Sequence, residues 1–132
     1  MERVNFSSGS PYEPIMGYSR TVRVGDLVYV AGSAPIMPDG ADPPADSYGQ
    51  TRRCLEIIGA ALELAGADFE HVVRTRIYLT PAADFAEVGR AHADVFRDIR
   101  PVNTTVVIHS LVDPRWLLEI DVDAVVPEEV GQ

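Results

Sequence analysis

The feature that most constrains this chain is a stretch near its end, Leu118-Glu119-Ile120-Asp121-Val122-Asp123-Ala124. Apolar residues and acids alternate one for one along it. Side chains of an extended backbone point to opposite faces in turn, whereas a helix would scatter the acids around its girth. The stretch is therefore a strand with one dry face and one acidic face, and it calls for a sheet covered on one side.

The rest of the chain supplies that sheet and its cover. Thr21–Val24 and Leu27–Ala31 flank Gly25-Asp26, a two-residue glycine turn that joins them as a hairpin. Residues 47–65 have helical periodicity: Leu55, Ile58, Leu62 and Ala65 fall on one stripe, with Asp46 or Ser47 to cap the start and Gly66 to close the end. His71–Leu79 reads as a strand with Val73, Thr75, Ile77 and Leu79 on one face and Arg74, Arg76 and Tyr78 on the other. Thr80-Pro81 opens a second helix, with Phe85, Val88, His92, Val95 and Ile99 inward. Strands Thr104–Ser110 and Trp116–Val126 complete the sheet. Residues 38–46, with three prolines, form a loop, and residues 127–132 a frayed tail. The order predicts one α+β domain over residues 1–132, with helices on one sheet face. The other face, with its arginines and Tyr78, is suited to burial between copies of the chain.

Composition excludes several functions. All 11 basic residues are arginine, so Schiff-base chemistry, pyridoxal phosphate attachment and the phosphate-loop lysine are ruled out. A net charge of −9 without a basic stripe disfavours nucleic acid as a partner. No apolar run suits a bilayer, the start does not read as a secretory signal, and the single Cys54 fits a reducing cytoplasm. No glycine-rich phosphate cradle appears, and the reading calls for no cofactor. His71, His92 and His109 lack metal-ligand spacing, so no metal is expected. His92 and Cys54 read as core residues. Glu119 is open to two readings: an acid–base group with its pKa raised by burial, or one of three solvated acids on a polar strand face. Tyr18 reads as a ligand-stacking residue or as a packing residue.

An ordered set of segments carries a resemblance. Gly17-Tyr18-Ser19 precedes the hairpin, which runs on into Gly32-Ser33. Val72–Leu79 leads into Asp84-Phe85, followed by Arg100-Pro101, Thr104–Ile108, Leu111 and Leu118–Asp121. In this order and spacing, over about residues 14–126, the chain resembles the Rid family, also called YjgF/YER057c/UK114. The resemblance implies a chorismate-mutase-like α+β fold: one mostly antiparallel six-stranded sheet with two helices on one face. It also implies a homotrimer with three clefts between subunits. In deaminating members an arginine grips the carboxylate of a 2-imino or 2-enamino acid, and water releases ammonia.

Carried over by position, the family's tyrosine, backbone glycine and glutamate match Tyr18, Gly32 and Glu119. The arginine would stand two residues after Pro101, where this chain has Asn103. The residue after the glycine, often glutamine in the family, is Ser33, and the stretch before Pro101 is shorter. A guanidinium offers a carboxylate two parallel donors and a permanent charge, and losing such a contact costs about 1.5–3 kcal/mol. The expected site is therefore catalytic Glu119 with Tyr18, Gly32, Ser33, Asn103 and Thr105 around a small-molecule ligand. Arg76 is a substitute cation, as are Arg74 and, more weakly, Arg90. Salt bridges to acids are the alternative reading of Arg74 and Arg76. Thr104 is expected to point to the helices. The functions that follow are an imine or enamine deaminase with altered substrate, a metabolite-binding trimer without turnover, or the endoribonuclease that some relatives are called.

Overall fold

The computed structural model describes residues 1–127. Strands are β1 (Arg3–Phe6), β2 (Thr21–Val24), β3 (Leu27–Ser33), β4 (Val72–Leu79), β5 (Val102–Val107) and β6 (Leu118–Val125); helices are α1 (Tyr12–Met16), α2 (Ser47–Leu64) and α3 (Phe85–Phe96). Five of the expected tail residues, 128–132, lie outside the described residues.

The sheet runs β1-β2-β3-β6-β4-β5, antiparallel throughout except for the β4–β5 pair. β3 and β4 both run against β6, so they are parallel to one another and α2 is the crossover between them. α3 is the crossover from β4 to β5, one step further in the same direction. Crossovers between parallel strands are right-handed almost without exception. Two such steps in one direction put both helices on one face, and α2 lies against β3 and β6 with α3 beside it. β6 answers with Leu118, Ile120, Val122 and Ala124, all buried, against Ile58 and Leu62 of α2 and Val88 of α3.

The helix-free face carries the alternate residues of the same strands. Arg76 Nη1 donates to Asp121 Oδ1 at 2.9 Å, its Nη2 lies 3.3 Å from Asp123, and Arg74 lies 4.0 Å from Asp123. The Tyr78 hydroxyl donates to Asp121 at 2.7 Å. Cross-strand pairing of β4 with β6 sets arginines opposite acids, so each strand's polar residues satisfy the other's.

Four expectations need correction. The helix expected at Pro81 begins at Phe85, because Asp84 accepts from the Glu87 amide and caps it there, and Ser47 Oγ holds the Asp84 amide. Phe85 is consequently 68% exposed instead of facing inward. A bulge between Val72 and Arg74 turns Val72 inward and leaves Val73 47% exposed. β5 starts at Val102, in register with Arg74, so Thr104 pairs with Arg76 and takes the helix-free side. Asn103 and Thr105 take the helix side instead. Two elements were not anticipated, β1 and α1. Both depend on the Ser7–Ser10 turn: Glu13 of α1 is buried, and its carboxylate accepts from the Ser8 amide and hydroxyl and the Ser10 amide.

Candidate functional site

At the end of the sheet where β2, β3 and β6 meet α1 lies a cleft of about 410 Å³. Its walls are built by a chain reversal. Gly17, at φ 76°, closes α1, with the amides of Gly17 and Tyr18 both donating to Glu13 O. This left-handed turn, which a side chain would strain, sends Tyr18 and Arg20 along the cleft while Tyr12 and Met16 stand above it. The clamp on Glu13 fixes that helix. Burial works to raise the Glu13 pKa, but hydrogen bonds from Ser8, Ser7 and Ser10 outweigh it and hold the carboxyl below its usual range. Trp116 meets Tyr12 edge to face at 6.3 Å and closes the far wall.

The floor is an interruption in β3. Between Val30 and Ser33 the pairing with β6 shifts, so the backbone at Gly32 leaves the ladder. Arg20 fills the gap. Its Nη1 donates to Gly32 O at 3.0 Å, Ser33 Oγ at 3.0 Å and Ala31 O at 3.3 Å. The Ser33 hydroxyl in turn donates to Ala31 O. Glu119, on the helix-free side of β6, lies against Gly32. A Cβ at that glycine would stand 2.8 Å from Glu119 Oε1, so any side chain there displaces the carboxyl. Burial raises the Glu119 pKa above the ordinary carboxylate range; Arg20 opposes this and Asp121 adds to it. Glu119 can therefore hold a proton at a pH where an exposed glutamate has lost it.

Of the residues singled out in the sequence, one chain brings together Tyr18, Gly32 and Glu119 in this cleft, with Ser33 buried just beneath. It does not bring in Asn103 and Thr105. They lie on β5, the strand at the far edge, two strands from β6 and on the opposite face from Glu119. There they join a polar chain: Thr105 Oγ1 donates to Asn103 Oδ1 at 2.8 Å, Asn103 Nδ2 donates to Thr75 Oγ1 at 3.0 Å, and Thr75 Oγ1 meets His92 Nε2 at 3.0 Å. His92 is half-buried, with its pKa lowered by burial, and packs on Phe96. Arg76 is outside the cleft, tied to Asp121 and Asp123, and Arg90 is tied to Glu87.

Sequence reasoning missed Arg20, Tyr12 and Trp116. Arg20 stands two residues after Tyr18 in Tyr18-Ser19-Arg20, a spacing that carries both side chains to one side of an extended segment. Among the described residues, the one set of acids and histidine close enough to share an ion is Asp68, Glu70 and His71. Asp68 and His71 there already cap each other's backbone around a turn. No helix of the described residues is long and apolar enough to cross a membrane.

The comparisons with known proteins agree with the fold. The family model described as Endoribonuclease L-PSP matches residues 9–126. The uncharacterized protein SCO2049 of Streptomyces coelicolor is 38% identical over 117 residues, 89% of this chain and 87% of its own. The RutC family protein PYRAB12510 of Pyrococcus abyssi is 34% identical, covering 97% of this chain and 98% of its own. Among solved structures, Rv2704 of Mycobacterium tuberculosis, a member of the YjgF/YER057c/UK114 family, is 45% identical with a TM-score of 0.86, over 95% of this chain and all of that one. TdcF of E. coli, solved with bound serine, is 25% identical with a TM-score of 0.76, over 92% of each chain. The sheet order, the interrupted β3 over Glu119 and these matches together establish that the chain belongs to the Rid family, the family of YjgF/YER057c/UK114.

Proposed function

We propose that the protein is a cytoplasmic homotrimer that binds a small polar metabolite in three clefts between subunits, with Glu119 as the acid–base group of a water-dependent imine or enamine deamination. The observation that carries this reading is the Glu119 carboxyl, half-buried against the Gly32 backbone on the floor of a cleft walled by Tyr12, Tyr18 and Trp116. A carboxyl whose pKa is raised by burial can, when ionised, take a proton from an attacking water and, once protonated, return it to nitrogen. Water adds across the C=N bond, the nitrogen gains the protons, and ammonia departs to leave a carbonyl. In the trimer, Asn103 and Thr105 of a neighbouring subunit complete the cleft from its open side. Their place on an exposed edge strand supports that arrangement. The structure of TdcF with serine supports a small ligand.

Asn103 separates this protein from the deaminating members, since it offers a carboxylate at most a neutral hydrogen bond. The expected substrate is therefore not an ordinary 2-imino acid. The same residue favours a second reading, in which the trimer binds a metabolite without turnover. RNA cleavage, the activity named in the family description, is disfavoured by the −9 charge.

Ammonia release from imines made in situ by an amino-acid oxidase tests the reading. Turnover should fall about tenfold or more below an arginine-bearing relative, a difference of about 1.4 kcal/mol or more in the barrier. Glu119→Gln should remove what remains, and turnover that survives it refutes the assigned role. Total silence toward a broad imine and enamine panel selects the binding reading. Sedimentation equilibrium should report three times 14.4 kDa. A monomer at all concentrations would end the inter-subunit cleft.

A further inference from the structure

Arg20 differs from the arginines held in ion pairs. Arg53, Arg74, Arg76, Arg90 and Arg115 each reach a carboxylate within 4.0 Å. Arg20 has no such partner among the described residues. It is nevertheless 6% exposed, and it is the one cation among the residues that line the cleft.

Its contacts also divide unevenly. All three of its side-chain hydrogen bonds leave from Nη1, toward two carbonyls and the Ser33 hydroxyl. Those bonds hold the broken end of β3 and require a donor, not a full guanidinium. Its Nε is the one buried side-chain polar atom without a partner among the described residues. The Tyr18 ring lies 6.0 Å from its Cζ, which softens the charge without neutralising it. A buried cation with an unused donor edge is costly unless an anion meets it. The walls beside it are apolar: Tyr12, Met16, Ile36, Val112 and Trp116.

We infer that Arg20 is the residue that selects the ligand of this cleft, and that the ligand is a small anion with a flat apolar body. The anionic group faces Arg20, and the body lies against the apolar wall of Tyr12, Met16 and Trp116. The cation thus comes from the start of β2 instead of β5, and the binding polarity of the cleft is set within one chain. The inference rests on the reading of the cleft as a ligand site.

Isosteric probes test it. Benzoate and benzamide share size and shape and differ in charge. Each is titrated into the full-length protein, read by the fluorescence of Trp116, the chain's one tryptophan, and by the amide NMR signal of Gly32. Benzoate should bind about tenfold or more tightly than benzamide. Arg20→Gln should bring benzoate down to the benzamide level, and Arg20→Lys should keep part of the preference. If both probes bind equally and move Gly32, the inference is overturned while the ligand site stands. If neither probe moves Gly32 or Trp116, the ligand site falls and the inference with it. Should Arg20→Gln fail to fold, the wild-type comparison of the two probes still decides, because it needs no variant.

Discussion

The two faces of β6 are made by the same eight residues, yet they behave differently. On the helix side, Leu118, Ile120, Val122 and Ala124 share one fate: complete burial in a single core. On the other side the three acids have separate fates. Asp121 and Asp123 are neutralised by Arg76 and Arg74, whereas Glu119 is set against Gly32 and holds its proton more tightly than usual. Alternation determines which way a side chain points. What it does there depends on the neighbouring strand, and at Glu119 that neighbour is an interrupted one.

Substitutions along β6 should break or sharpen this contrast. The largest effect is expected from Ile120→Ala, which empties a fully buried site and should cost about 2–5 kcal/mol in urea unfolding. A loss under about 1 kcal/mol would mean that the core side is not the stabilising side. Next, Asp121→Ala should cost about 1 kcal/mol, because on a partly exposed face it leaves Tyr78 without its acceptor and Arg76 with Asp123 alone, and the loss should shrink in high salt. A salt-independent loss as large as that of Ile120→Ala would erase the distinction between the faces.

The smallest effect should have the opposite sign. Glu119 has a folded-state pKa above its unfolded value, so folding favours its protonated form. The stabilising contribution is complete below the unfolded pKa, near 4.5, and is lost as pH rises through the folded pKa. Glu119→Gln should therefore gain thermal stability relative to wild type as pH rises from 4 to 8, with the gap closing below 4.5. A gap that stays flat with pH would show that the Glu119 carboxyl is no harder to ionise than a solvated one.

Much of the fold was legible because periodicity and turn residues agreed. The hairpin at Gly25-Asp26, α2, and the inward residues of β6 all came from patterns that admit one register. The misplacements share a cause, which is sequence without such a pattern. Val72 and Val73 are both apolar, so nothing in the composition reveals which one a bulge turns outward. Val102-Asn103-Thr104-Thr105-Val106-Val107 lacks alternation, and its face was decided by pairing with β4. α1 has five residues, too few to fold by propensity. It depends on the Ser8 and Ser10 clamp around Glu13, a contact outside any helical period. The site was half legible for the same reason. Glu119 and Gly32 were recognisable by position in a known pattern, but Arg20 becomes a cleft residue only after Gly17 has turned the chain.

The place of β6 in the sheet also governs how the molecule comes into being. Among the described strands it is the last made, and it sits between β3 and β4 as their shared neighbour. Until residues 118–125 leave the ribosome, β1-β2-β3 and β4-β5 are two unjoined half-sheets, each with an unsatisfied inner edge. This sheet can therefore close only after residues 118–125 have been synthesised, and its decisive pairings span long sequence distances. Before β6 is added, the β3 and β4 edges that it will pair have unsatisfied backbone groups. Open edges of this kind invite edge-to-edge association until β6 pairs with both half-sheets.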